Sequence, residues 1–263
     1  RIEDIVKKVE QELDVKLRNK GFAAIHIARA TARLEALGYL DDAKTAKILA
    51  DHLVRERGME AGDRVAVLAR NRIETVALML ACVKTGAILV PLNFRLAPGE
   101  LVYFIRDAAP KAFFFDTEHQ PIADRLIEAA PTPQPVRLND QTDRPWAELS
   151  PEPPGPVDII ETDPALIIYT SGTTGVPKGV IQTHKMITWN AINTNLGWDL
   201  RSDDRTILYA ALFYTAGWNI FTLPLFQCRG TNILVRSFEP DLVLSLIESE
   251  QVTVFFGVPT MFQ

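Results

Sequence analysis

The stretch IIYTSGTTGVPKGVIQTH, residues 167–184, combines an apolar run with a dense group of small hydroxyl side chains, glycines and one lysine. The apolar start predicts a buried strand, and the residues from about Lys185 predict a helix. The hydroxyls and glycines should therefore lie between a strand and a helix. Ligands of α/β proteins bind at this position, outside the carboxyl ends of the strands.

These small residues can donate hydrogen bonds without adding negative charge. Glycines let backbone N–H groups approach a ligand closely, hydroxyls add further donors, and lysine adds a positive charge. Such a set favours a polyanion, and a triphosphate is the natural candidate; the alternative is a Ser/Thr/Gly-rich surface loop without a ligand. The candidate phosphate ligands are Thr170, Ser171, Gly172, Thr173, Thr174, Gly175 and Lys178, with Lys178 and Thr173 as candidate catalytic residues.

Three better-known motifs do not fit this stretch. A Walker phosphate loop places glycine before its lysine and Ser or Thr after it, but Pro177 and Gly179 flank Lys178. A serine hydrolase elbow requires glycine two positions before the serine, where Tyr169 precedes Ser171. An S-x-x-K pair also fails, because no serine stands three positions before the lysine.

Strand and helix patterns alternate along the rest of the chain, which predicts an α/β fold with parallel sheets. Eight prolines in residues 131–156 predict a surface connection between two α/β lobes. The predicted division is a helical leader (1–42), a first lobe (43–130), the connection (131–158) and a second lobe (159–263). Predicted strands lie at 63–71, 87–93, 111–116, 165–170, 204–211 and 252–259, and predicted helices at 73–86, 99–110, from about 185, and at 240–250.

Residues 207–228 carry no charged side chain and are numerous enough to cross a bilayer. A membrane-spanning helix would, however, have to hide Pro224 and Asn219 from lipid. We therefore interpret the segment as a core helix and loop, and we expect no transmembrane span.

Charge and cysteine content exclude further classes of protein. The net charge of −5 argues against a general nucleic-acid-binding protein. Cys82 and Cys228 stand in apolar surroundings, outside any C-x-x-C or metal-binding spacing. We interpret them as buried free thiols of a reducing compartment, so the predicted location is cytoplasmic.

The segment YTSGTTGVPKGV, residues 169–180, resembles the signature of the adenylate-forming (AMP-binding) superfamily, which includes acyl-CoA synthetases. Four more segments resemble that family: residues 48–71, 78–93, 211–219 (ALFYTAGWN) and 252–263. Their style is that of medium- or long-chain acyl-CoA synthetases. The resemblance covers about 220 of the 263 residues and implies the N-terminal part of the family's large domain, with the second lobe incomplete.

The resemblance implies an acid–thiol ligase. Such enzymes use ATP and Mg²⁺ to convert a carboxylic acid, here a fatty acid, into an acyl-adenylate, and then transfer the acyl group to coenzyme A. A homodimer of the complete protein is a further possibility. Candidate acyl-binding residues are Phe213, Tyr214, Gly217 and Trp218, for which core packing is the alternative role.

The chain also departs from the family pattern. Tyr214 and Ala211 stand where the family often has His and Pro, so a role that needs an imidazolium is not expected. We find no Y-G-x-T-E or T-G-D segment, and we expect residues 1–263 alone to be inactive. The alternative function is a non-catalytic nucleotide- or acyl-binding fragment or pseudo-enzyme. Residues 17–42 resemble the regulatory RecX family, and we predict a leader without chemistry of its own.

Overall fold

A computed structural model describes residues 49–50, 52–130, 135–138, 157–171 and 176–261. Within these residues the strands are Arg64–Leu68 (β1), Ile88–Pro91 (β2), Ala112–Asp116 (β3), Pro135–Leu138 (β4), Pro164–Thr170 (β5), Lys178–Thr183 (β6), Arg205–Leu208 (β7) and Thr231–Leu234 (β8). The α-helices are Ile73–Thr85 (α1), Pro98–Ala108 (α2), Gln120–Ala129 (α3), His184–Trp198 (α4), Thr215–Asn219 (α5), Thr222–Cys228 (α6) and Pro240–Ser249 (α7). A π-helical turn covers His52–Glu56, and 3₁₀ turns cover Thr117–His119 and Pro259–Met261.

The main sheet has the strand order β4-β3-β1-β2-β5-β6. Its strands run parallel from β4 to β5, and β6 pairs antiparallel with β5 at the edge. Side chains of β1 alternate between two cores: Val65 and Val67 pack on the side of α1, and Ala66 and Leu68 pack on the side of α2 and α3. Helices therefore cover both faces of the sheet, which confirms the predicted α/β class.

The strands and helices predicted between residues 63 and 116 are confirmed, whereas helix α3 was not predicted. Helix α1 ends at Gly86, whose φ of 71° lies in the left-handed region that glycine adopts without strain. Helix α2 begins at Pro98, where the missing N–H costs no intrahelical bond. The polypeptide then returns as β3, whose residues are all buried.

The predicted connection 131–158 is not all loop. Residues Pro135–Leu138 form β4, in which Val136 and Leu138 are buried and the alternate residues are exposed. Pro135 is tolerated because it occupies the first position of an edge strand, where its missing N–H breaks no ladder. The proline count hid this short alternating pattern; residues 131–134 and 139–156 lie outside the described residues.

The predicted boundary between two lobes does not divide the main sheet. Strands β5 and β6 follow the connection but join the same sheet, with Leu166 in β5 paired to Leu89 in β2. The loop after β5 is also followed by a strand, β6, before helix α4 begins at His184. The helix predicted from about Lys185 is confirmed, since α4 begins at His184, but strand β6 was not predicted; KGVIQT pairs with β5 along its whole length, which overrides local patterns.

A second, parallel pair consists of β7 and β8. The strand predicted at 252–259 is not formed. In the residues that the structure describes, the N–H groups of Thr253 and Val254 both bond to the Arg205 carbonyl, so no regular ladder develops along β7. The apolar residues of this segment instead pack as half-buried aromatic rings near Tyr209. The Tyr209 hydroxyl donates a hydrogen bond to the Phe256 carbonyl at 2.6 Å.

Residues 207–228 are divided among the end of β7, a loop, α5 and α6. Across the described ranges, no helix combines the length and the apolar character that a bilayer crossing requires.

Both cysteines carry free thiols; Cys82 is buried as predicted, but Cys228 is partly exposed.

A buried carboxylate closes the carboxyl end of β3. The side chain of Asp116 is 1% exposed and accepts hydrogen bonds from the Arg70 N–H, the His119 N–H and His119 Nδ1, the last at 2.5 Å. Burial acts to raise the pKa of Asp116, but the hydrogen bonds from His119 and Arg70 outweigh it, so the pKa lies below its ordinary value.

We expect Asp116 to stabilise the fold in a pH-dependent way. Because the folded-state pKa is lowered, the carboxylate contributes stability above its unfolded pKa, and this contribution is lost as the pH falls through the folded value. Asp116→Asn should lower the free energy of unfolding by about 1.5–3 kcal/mol at neutral pH. Urea titrations should show this deficit shrinking toward acid, whereas the exposed control Asp158→Asn should leave stability nearly unchanged. A deficit of equal size under acidic conditions would contradict the assignment.

Candidate functional site

Strands β5 and β6 form a hairpin that carries the candidate phosphate ligands. Thr170 and Lys178 face each other at the end of the hairpin that carries its connecting loop, and both are exposed, as is Ser171. The hairpin therefore presents hydroxyl and ammonium groups to solvent at the carboxyl end of β5, where ligands of α/β proteins bind. The remaining candidates, Gly172, Thr173, Thr174 and Gly175, lie outside the described residues.

Lys178 is the cation of this hairpin. It makes no salt bridge with any residue that the structure describes, so its charge is available to a ligand. Side chains alternate along a strand, so Lys178, Val180 and Gln182 share one face of β6. That face is the one on which Leu166 and Ile168 of β5 pack into the core with Trp218.

The segment with the candidate acyl-binding residues lies on this same face. Gln182 on β6 donates to the Thr215 hydroxyl at 3.4 Å and accepts from Asn219 Nδ2 at 2.7 Å. Asn219 Nδ2 also donates to Thr215 Oγ1 at 2.8 Å, so helix α5 is tied to the hairpin at both of its ends. The fold therefore brings Thr170 and Lys178 of the predicted phosphate group to the same side of the sheet as the predicted acyl segment, 213–218.

A buried amide holds the start of the acyl segment. Asn71, 3% exposed, follows β1; its Nδ2 donates to the Ala210 carbonyl at 3.0 Å, and its Oδ1 accepts from the Leu212 N–H at 3.0 Å. Satisfying both halves of the amide fixes the backbone that leads into Phe213. Sequence reasoning missed Asn71, although a polar residue directly after a buried parallel strand was a usable signal.

Gly217 and Trp218 support the segment from inside. A Cβ on Gly217 would lie 2.5 Å from the Ala211 carbonyl oxygen, so this close approach requires glycine. Trp218 is fully buried and donates its indole N–H to the Leu212 carbonyl at 2.6 Å. Gly217 and Trp218 therefore both belong to the core, and core packing is the alternative role that the sequence left open for them.

Phe213 and Tyr214 differ in exposure. Phe213 is 4% exposed and packs edge-on against Phe94 at 5.0 Å between ring centroids, whereas Tyr214 is 45% exposed. Asn93, just after β2, donates to the Tyr214 hydroxyl at 3.5 Å, the outer limit of a hydrogen bond. Tyr214 is therefore the aromatic group of this segment that a ligand can reach.

An arginine that the sequence did not single out lies beside these rings. The guanidinium of Arg95 stands 5.9 Å from the Phe94 ring centroid and 5.6 Å from that of Phe213, within the range of cation–π attraction. The side chain is exposed and adds positive charge next to Tyr214. Phe213 lies 118 positions after Arg95 in the sequence, so no local pattern indicates that these two side chains meet.

His184 lies at the other end of β6 from Lys178, about 20 Å away along an extended strand. Burial lowers the pKa of its imidazole, and the nearby Asp163 carboxylate opposes this shift only in part. His184 Nε2 is buried without a hydrogen-bond partner among the described residues. His184 is the first residue of α4, so it lies at a helix start, but its side chain is not fully hydrogen-bonded within the described residues.

Comparisons with known proteins point in one direction. The family model described as "AMP-binding enzyme" matches residues 21–263, and this match begins inside the segment predicted to be a helical leader, residues 1–42. A feruloyl-CoA synthase of Amycolatopsis sp. is 36% identical over 257 residues, which cover 94% of this chain and 50% of that protein. A long-chain-fatty-acid–CoA ligase of Mycobacterium tuberculosis is 32% identical over 209 residues, covering 78% of this chain and 41% of that protein.

Solved structures agree with the sequence comparisons. The ATP-bound crystal structure of MatB from Rhodopseudomonas palustris superposes with a TM-score of 0.75 at 31% identity, covering 85% of this chain and 44% of that one. The chain thus spans about half the length of the curated relatives it matches.

Proposed function

The chain belongs to the AMP-binding enzyme family, and from this membership we propose that the protein activates a carboxylic acid with ATP and transfers it to coenzyme A. The observation that carries the proposal is the shared face of the main sheet. There Gln182 ties the hairpin with Lys178 to the segment with Tyr214. A phosphate-binding group and an aromatic wall on one face suit a reaction between a triphosphate and an organic acid.

The proposed first step joins the two substrates. A carboxylate oxygen of the acid attacks the α-phosphorus of ATP, the bond from that phosphorus to the bridging oxygen breaks, and pyrophosphate leaves with the electron pair. Negative charge grows on the leaving group, next to the hairpin. In this proposal the exposed Lys178 ammonium and the exposed hydroxyls of Thr170 and Ser171 stabilise that charge. We assign the same role to Gly172, Thr173, Thr174 and Gly175.

The second step uses the adenylate as an acyl donor. The thiol of coenzyme A adds to the acyl carbonyl, loses its proton, and AMP departs with the electron pair of the cleaved bond. The described residues offer no cluster of three or more His, Cys, Asp or Glu side chains that could hold a metal ion. Mg²⁺ is usually held by substrate phosphates with only one or two protein ligands, so its use together with ATP stays a prediction.

The acid is proposed to carry an apolar body, as a fatty or aromatic acid does. Tyr214 offers an exposed ring face and hydroxyl, with Phe213 and Phe94 packed behind it. Gly217 and Trp218 would shape this wall from inside the core. The relatives named above act on ferulate and on long-chain fatty acids, which differ in shape but share an apolar body beside a carboxylate. A cytoplasmic location, a homodimer of the complete protein and the lack of a nucleic-acid partner stay predictions.

Carboxylate-dependent pyrophosphate exchange tests this proposal. The full-length protein would be supplied with ATP, labelled pyrophosphate and, one at a time, ferulate, saturated fatty acids of increasing chain length and a small polar acid. We expect exchange with at least one apolar acid, and thioester formation on adding coenzyme A. Nucleotide binding without exchange for any acid would instead identify a non-catalytic binding protein.

A further inference from the structure

Helix α2 contacts the residue that precedes Thr170, at the start of the loop that joins β5 to β6. This loop between Thr170 and Lys178 is called the phosphate hairpin loop below. The ring of Tyr169, one residue before Thr170, stacks on Phe104 of α2 with 4.2 Å between centroids and 9° between planes. The Tyr169 hydroxyl donates to Asp107 Oδ2 at 2.6 Å. Ring stacking and a charge-assisted hydrogen bond therefore hold this residue on the helix.

The same helix also contacts the other end of the loop. The hydroxyl of Tyr103 donates to the Pro177 carbonyl at 3.3 Å. Pro177 directly precedes Lys178, so this bond restrains the backbone from which the lysine side chain projects. The two bonds bracket the loop: one lies just before Thr170 and the other just before Lys178.

The geometry of the hairpin keeps these contacts together. Gly179 stands opposite Tyr169, and a Cβ added to Gly179 would meet the Tyr169 ring at 3.4 Å and Ile167 Cγ2 at 3.0 Å. The ring therefore lies flat between Gly179 and Phe104. Burial, and next the hydrogen bond to Asp107, raise the pKa of the Tyr169 phenol, which keeps its proton and stays the donor.

We propose that α2 is a positioning element for nucleotide binding, in which Tyr103 and Asp107 fix the two ends of the phosphate hairpin loop. This inference rests on the proposed function, because it assigns ATP as the ligand of Thr170 and Lys178. Both residues belong to α2, on the side of the sheet opposite the face that presents Lys178, so they are positioning residues and not ligands of ATP in this proposal. They act through the backbone of Pro177 and the side chain of Tyr169.

The test removes each contact by the smallest available change in the full-length protein. Tyr103→Phe deletes one hydroxyl, and Asp107→Ala deletes the acceptor of Tyr169. Asp107→Asn, which keeps an oxygen acceptor, is the conservative rescue. Glu128→Ala, an exposed change on the neighbouring helix α3, is the control. The measurements are the Kd of ATP by calorimetry, the KM values of ATP and of the acid in pyrophosphate exchange, and the melting temperature.

We expect Tyr103→Phe and Asp107→Ala each to raise the Kd and KM of ATP by about 2- to 10-fold, the loss of one hydrogen bond. The KM of the acid and the melting temperature should stay unchanged, and Asp107→Asn should recover most of the ATP affinity. Unchanged ATP affinity in both variants, or an equal rise in both KM values, would overturn the inference. If no acid supports exchange, the proposed function fails, and the Kd of ATP still decides whether α2 positions the loop. Absence of ATP binding by the wild type would overturn both.

Discussion

Replacing Lys178 with alanine in the full-length protein should slow adenylate formation by about 100- to 1,000-fold, as the loss of one preorganised transition-state donor does in other enzymes. Lys178 lies at the loop end of the β5–β6 hairpin, exposed and without a salt bridge in the described part of the chain. Its charge is therefore free to act on the leaving pyrophosphate. The rate of pyrophosphate exchange at saturating acid measures the effect.

Lys185→Ala is the matched control for this experiment. Lys185 follows the same strand at its other end, is exposed, and pairs with Glu161 at 2.6 Å. Surface substitutions of this kind change stability by less than about 0.5 kcal/mol, so both variants should melt like the wild type. A Lys178→Ala protein that exchanges pyrophosphate at the wild-type rate would remove Lys178 from the mechanism. A large fall in its melting temperature would instead show a structural role.

The largest stability effect is expected at Trp218. Its side chain is fully buried in the core shared by the main sheet and α5, and it donates its indole N–H to Leu212. Trp218→Ala should lower the free energy of unfolding by about 3–5 kcal/mol, through lost burial and the cavity left behind. Chemical denaturation followed by circular dichroism measures this difference.

Trp189 on α4 gives the matched control for Trp218. Its side chain is 54% exposed, so Trp189→Ala removes the same atoms with little burial lost and should shift stability by less than about 0.5 kcal/mol. Trp218→Phe keeps most of the apolar volume and should fall between the two. Equal deficits for both alanine variants would mean that Trp218 does not lie in the core.

Local patterns along the chain were enough to predict the elements from β1 to β3. An apolar run such as that of β1 and a stop such as Gly86 each specify their own structure, and neighbouring elements then pair in order. The nature of the 167–184 segment was equally readable, because donors and a cation were concentrated in one loop. Each of these predictions depended on a pattern within a few consecutive residues.

The other features depend on contacts between distant residues. The Asn71 side chain donates a hydrogen bond to the Ala210 carbonyl, 139 positions away, and no local pattern at either residue predicts this contact. Strand β6 exists because β5 lies beside it, and residues 252–259 fail to form a strand because β7 offers them one acceptor at Arg205. Which of Phe213, Tyr214 and Trp218 faces solvent was likewise set by tertiary packing, because all three are apolar aromatic residues.

The order of strands in the main sheet also governs how the protein matures on the ribosome. Strand β2 lies between β1 and β5, and β5 is synthesised only after the 73 positions that separate Pro91 from Pro164. At the usual pace of translation this interval lasts about 4 to 15 seconds. During that time β2 has a neighbouring strand, β1, on one side only, and its other edge is open. All four residues of β2 are buried in the folded protein, and such an edge is the kind of surface that nascent-chain chaperones shield. The hairpin that carries Lys178 then covers this edge, so the hairpin proposed to bind nucleotide is also the element that ends the vulnerable stage of synthesis.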